Sequence, residues 1–120
     1  MWKIILLSLL LSNAVLAQPP MVLKAQANLK TNQLFDIAVT IRHPDSGWDH
    51  YANEWIAVDG SGKEIAKRTL YHPHVNEQPF TRNVRDVVIP VGLNKVIITA
   101  TCNKGHVSKP YILIDKKQEQ

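Results

Sequence analysis

The chain has 120 residues, 45% of them hydrophobic, with 14 basic against 10 acidic side chains and a formal net charge of +4. That surplus is spread thinly, and no basic stretch exceeds two residues, which argues against a nucleic-acid surface. The length permits one domain with one core.

Met1-Trp2-Lys3 forms a short basic start, Ile4 to Leu11 is an apolar run broken only by Ser8, and Ala14-Val15-Leu16-Ala17 ends on small residues. This pattern predicts a secretory signal peptide over residues 1–17, cleaved after Ala17. Its apolar run falls short of the roughly 20 residues that cross a bilayer. No cysteine follows the cleavage point, so a lipid anchor at that position is excluded. The expectation is an exported protein, periplasmic or secreted, with no membrane segment after cleavage and one domain over residues 18–120.

Strand signals then recur about every ten residues, and helix signals are nearly absent. Val22 to Leu29 reads as a first strand of weak pattern. Phe35 to Arg42 alternates cleanly, with Phe35, Ile37, Val39 and Ile41 on one face. Trp55 to Val58 is a short apolar run closed by Asp59-Gly60-Ser61-Gly62, a tight connection into a strand over Lys63 to Tyr71. Val87 to Ile89 is a brief strand stopped by Pro90. Lys95 to Cys102 alternates again, and Tyr111 to Ile114 follows Pro110 as the last strand. Seven to eight short strands with polar turns between them predict an all-β fold, an Ig-like antiparallel β-sandwich. Its core rests on apolar packing, because a single cysteine makes no internal disulfide.

All five histidines fall between residues 43 and 106: His43, His50, His72, His74 and His106. Histidine titrates near neutral pH and is the commonest metal ligand. His72 and His74 flank Pro73, and on an extended segment both rings would point to one side. Such a pair is a bidentate start for a transition metal, completed by His43 and His50 from a neighbouring loop. The bland alternative has all four as loop residues bonding the backbone. Asp45 and Asp49 are placed to orient an imidazole, or are solvated loop acids. Cys102 shares a strand face with Val96 and Ile98, as a small buried hydrophobe would, yet sits at a strand end where a thiolate ligand could stand. An intermolecular disulfide is a third possibility. Gln78-Pro79-Phe80-Thr81-Arg82 reads either as an exposed binding edge or, the favoured reading, as a loop ended by Pro79 with Phe80 entering the core, and Trp48, in a glycine-containing loop, is a candidate cap for a pocket or partner surface. No spacing matches a nucleophile elbow.

Two resemblances attach to these segments. His43-Pro44 followed by Asp49-His50-Tyr51-Ala52-Asn53-Glu54-Trp55-Ile56 resembles the HP…EHYIEWI segment of superoxide reductases (neelaredoxin and desulfoferrodoxin), and Cys102-Asn103-Lys104-Gly105-His106 resembles that family's CNxHG. The resemblance implies a non-haem iron held by His43, His50 and His106, with Cys102 as axial thiolate. Thr40-Ile41-Arg42-His43-Pro44 and Val75-Asn76-Glu77-Gln78-Pro79-Phe80 are similar to segments of the Z subunit of the thiosulfate-oxidising Sox complex. That likeness implies no metal and a periplasmic protein partner instead. Both imply the same sandwich.

The sequence therefore predicts an exported β-sandwich that binds a transition metal, iron or copper, through His43, His50, His72 and His74, with His106 and Cys102 as further candidates. The alternatives are a non-catalytic module that binds a partner protein and, third, a superoxide reductase.

Overall fold

The computed structural model describes residues 18–115, so the leader at 1–17 and the polar tail at 116–120 lie outside the described residues. Seven strands are present: β1 (Met21–Thr31), β2 (Leu34–Arg42), β3 (Ala52–Asp59), β4 (Glu64–Thr69), β5 (Phe80–Val88), β6 (Lys95–Cys102) and β7 (Tyr111–Asp115). They form two antiparallel sheets, β1-β2-β5 and β4-β3-β6-β7. This is the β-sandwich that the alternation predicts. A constant-type immunoglobulin domain keeps its fourth strand in the sheet of the fifth, whereas here β4 pairs with β3.

Alternation explains the core. On β2, Ile37, Val39 and Ile41 are fully buried, and on β6 so are Val96, Ile98 and Ala100, with Cys102 almost so. Trp55 and Ala57 of β3, beside β6 in the same sheet, are fully buried too, and Phe80 opens β5 at 2% exposure, as the favoured sequence reading has it. Complete burial of a side chain as large as Ile or Leu stabilises by about 1.5–3 kcal/mol, so these rows carry the sandwich without a disulfide.

The largest departures from the expected boundaries are at β3, β4 and β5, with β3 beginning at Ala52 rather than Trp55. The strand expected over Lys63 to Tyr71 runs over Glu64–Thr69; the Leu70 N–H still bonds to the Asn53 carbonyl, and the chain bends at His72. The strand expected at Val87 begins seven residues earlier, at Phe80. Its inward positions run Phe80, Arg82, Val84 and then Val87, a change of phase caused by a bulge. Arg85 and Asp86 together oppose Asp36 alone, with Asp86 at φ 57° and its N–H bonded to the Asp36 carboxylate. A polar inward Arg82 and the bulge together erase the period-two signal.

Pairing places the functional loops. Met21 opposes Arg42, Ile41 opposes Phe80, Glu54 opposes Thr69, and Ala52 opposes Cys102. The start of β1, the β2–β3 loop, the β4–β5 loop and the β6–β7 loop therefore gather at one end of the sandwich. All five histidines lie in those loops.

Candidate metal centre at the loop end

The β2–β3 loop is built around Asp45. This aspartate is buried, and its Oδ1 accepts from the His43 Nδ1 and from the Ala52 N–H at 2.9 Å. Its Oδ2 accepts from the His74 N–H at 2.8 Å. Gln78 adds a second tie: its Oε1 accepts from the His43 N–H at 3.0 Å, while its Nε2 donates to the His74 carbonyl at 2.9 Å. One carboxylate and one carboxamide thus lock the β2–β3 and β4–β5 loops together.

His43 is fully buried, and both of its ring nitrogens are used. Nδ1 faces the Asp45 carboxylate, and Nε2 faces the Gln18 carbonyl at 2.9 Å. Both partners are acceptors, so the ring satisfies them only with a hydrogen on each nitrogen.

His50 sits edge-on to His43, with ring centroids 4.5 Å apart and planes at 89°. A small turn presents it: the His50 N–H donates to the Gly47 carbonyl at 3.2 Å and its own carbonyl accepts from the Ser46 N–H at 3.0 Å. Gly47 adopts φ 148°, outside the range comfortable for residues with a Cβ. The His50 Nε2 is buried and has no hydrogen-bond partner. Burial, then the positive charges of His43, Lys104 and His106, hold the His50 ring below the usual histidine range, with Asp45 opposing.

Cys102, 1% exposed, ends β6. Its carbonyl accepts from the Gly105 N–H at 2.9 Å and its N–H donates to the His106 carbonyl at 3.1 Å, a turn closed by Gly105 at φ 82°. Asn103 then clamps this turn to the β2–β3 loop. Its Oδ1 accepts from the Tyr51 N–H at 3.0 Å, its Nδ2 donates to the Trp48 and Asp49 carbonyls at 3.1 and 3.2 Å, and its N–H donates to the Tyr51 carbonyl.

The result is one group of three. A ring nitrogen of His43, a ring nitrogen of His50 and the Cys102 sulfur all lie within 4.8 Å of one another. Donors on a single tetrahedral zinc stand about 3.3–3.6 Å apart, so closing the group takes a contraction of about an ångström. Two imidazoles and a thiolate suit a soft or borderline transition metal.

The expected four-histidine site does not form among the described residues. The β4–β5 loop bends at His72 and again at Val75–Asn76, and the rings of His72 and His74 meet different neighbours. His74 stacks on Phe80 at 4.0 Å between centroids, and its Nε2 accepts from Arg82 at 3.1 Å. Arg82 also donates to Glu77 at 2.8 Å. Burial, then the Arg82 charge, lower the His74 pKa, while Glu77 and Asp45 oppose. His72 is exposed, 6.1 Å from the Trp48 ring. His106 is exposed on the turn beyond Cys102 and stays outside the group of three. Trp48, 65% exposed, also meets Tyr51 edge-on at 5.6 Å. Gln78, Arg82 and Asn103 carry the loop architecture; the sequence marks Gln78 and Arg82 only as part of a possible exposed edge, whereas their side chains bond within the loops. Only the position of Asn103 beside Cys102 hints at its place.

No family model and no solved structure matches the chain, so the two resemblances rest on their motifs alone. Over 71 residues, 59% of the chain, it is 33% identical to a Halomicrobium mukohataei protein named "Putative lipoprotein", of which the match covers 32%. The chain thus spans about a third of that relative's length. Among the described residues, no helix is long and apolar enough to cross a membrane.

Proposed function

We propose that this is an exported β-sandwich protein that binds a transition metal at its loop end, through His43, His50 and Cys102. The carrying observation is the group of three, a ring nitrogen each from His50 and His43 and the Cys102 sulfur within 4.8 Å of one another, beside a buried His50 Nε2 that lacks any partner. An orphaned buried nitrogen costs free energy unless something fills its lone pair, and a metal does so while a thiolate neutralises the charge. Two nitrogens and one sulfur favour copper over the iron of a four-histidine centre, since only two histidines are within reach. Asp45 on the His43 Nδ1 is the orienting carboxylate that metal-bound histidines commonly carry. Export is supported by the basic, apolar and small-residue order of residues 1–17 and by the lipoprotein name of the relative.

The test is titration with cupric or cobaltous ion, following the thiolate-to-metal absorption band. The band should appear with the unmodified protein, vanish in His50→Ala and Cys102→Ser, and survive in His72→Ala. A band insensitive to His50 and Cys102, or none at all, would remove the proposal.

A second reading has one observation behind it. Trp48 is largely exposed while its backbone is pinned by Asn103, a preorganised aromatic of the kind that anchors partner proteins. On that reading, metal leaves thermal stability unchanged, and Trp48→Ala releases a co-purifying partner.

A further inference from the structure

His43 cannot take a metal in the arrangement described, because each ring nitrogen already has a partner. One must be released. Asp45 is poorly placed to let go: it is buried, and two backbone N–H groups from separate segments hold the same carboxylate. Gln18 is differently held. It is exposed, it precedes two prolines, and β1 starts only at Met21. Prolines have no N–H, so neither Pro19 nor Pro20 can tie this stretch down by donating a backbone hydrogen bond. Pro20 is buried, while the exposed Pro19 lines two clefts. One, of about 340 Å³, is walled by Gln18, Met21, Arg42, His43 and Pro44. The other, of about 330 Å³, lies toward Val22, Lys109 and Pro110. Open space thus adjoins Pro19 in both clefts.

We propose that Gln18–Pro20 is a displaceable cap on the centre: its Gln18 carbonyl covers the His43 Nε2, and metal binding exchanges that carbonyl for the ion. Asp45 keeps the Nδ1 throughout, so the ring stays oriented while its outer nitrogen changes partner. The proposal rests on His43, His50 and Cys102 being the metal ligands. In the exchange, the Nε2 proton leaves to solvent, the nitrogen lone pair goes to the metal, and the Gln18 carbonyl returns to water. Because the capped form does not bind, the apparent affinity is reduced by the fraction of molecules in which the cap is open.

The experiment compares the unmodified protein with Pro19→Gly, which loosens the cap and leaves every proposed ligand in place. Cobaltous ion is the probe, and both the rate of uptake and the dissociation constant are read from the absorption band. Loosening should speed uptake and tighten binding several-fold, up to about tenfold, the scale of one net hydrogen bond. Equal rates and affinities would overturn the cap and leave the metal reading standing, whereas no uptake by either protein would overturn both. A second measurement needs no variant. In the unmodified protein, nuclear Overhauser contacts between Pro19 and the His43 ring should disappear on adding zinc. Their persistence in the zinc-loaded protein would overturn the cap.

Discussion

His43 and His74 occupy the same end of the sandwich and bond to the same aspartate, yet they meet it differently. His43 gives Asp45 its ring, whereas His74 gives only its backbone N–H. The His43 ring is fully enclosed between two acceptors. The His74 ring lies flat on Phe80, accepts from Arg82, and leaves its Nδ1 without a partner. The first arrangement faces a second histidine and a thiol; the second is a packed wall braced by an arginine. Clustering of histidines in sequence therefore says little about ligation. What counts is which nitrogen remains unspent and what stands opposite it, and on that criterion His50 is the centre of the site.

The comparison is most sharply tested at Asp45. Asp45→Ala strips the partner from a buried ring and from two backbone N–H groups. Each donor left without its acceptor costs about 1–3 kcal/mol, and the urea midpoint should fall accordingly. His72→Ala, on an exposed residue of the other pair, should stay within about 0.5 kcal/mol. If the two variants proved equally mild, the buried network would not be holding the loop end.

The fold was legible where one rule acted alone. β2 and β6 alternate without interruption, and their inward residues are those the period predicts. Legibility failed at β5, where Arg82 faces inward to serve His74 and Glu77 and a bulge reverses the phase; long-range partners there override local pattern. The site was legible in part. His43, His50 and Cys102 were all candidates, but the loop pair His72 and His74 carried equal weight. Their exclusion follows from bonds made by Gln78 and Asp45 across 29 to 35 residues of sequence, which no local spacing encodes. The sequence allows Cys102 as core residue, intermolecular disulfide partner or ligand. The residue is core by burial, and its strand end still brings the sulfur to the histidines.

Gln78 offers a smaller test of the same wiring. Gln78→Ala leaves the His43 N–H and the His74 carbonyl without their side-chain partner, at a cost of about 1–3 kcal/mol for groups that are partly buried. The loss should be accompanied by faster hydrogen exchange at the His43 amide than at any amide of β6. Unchanged exchange at His43 would mean that the two loops are held together by Asp45 alone.

The smallest expected effect is the dependence of stability on pH that His74 contributes. Burial and Arg82 lower its folded pKa, so as pH falls below the ordinary histidine value of about 6.5 the unfolded chain takes up a proton before the folded one does. The His74 contribution is therefore complete above that value and is lost as pH drops through the lowered one. His74→Gln cannot titrate, so its urea midpoint should fall less than that of the unmodified protein between about pH 7.5 and pH 5.5. A parallel fall in both proteins would place the sensitivity elsewhere. The wall residue would then be electrostatically silent, and the contrast between the two histidines would reduce to packing.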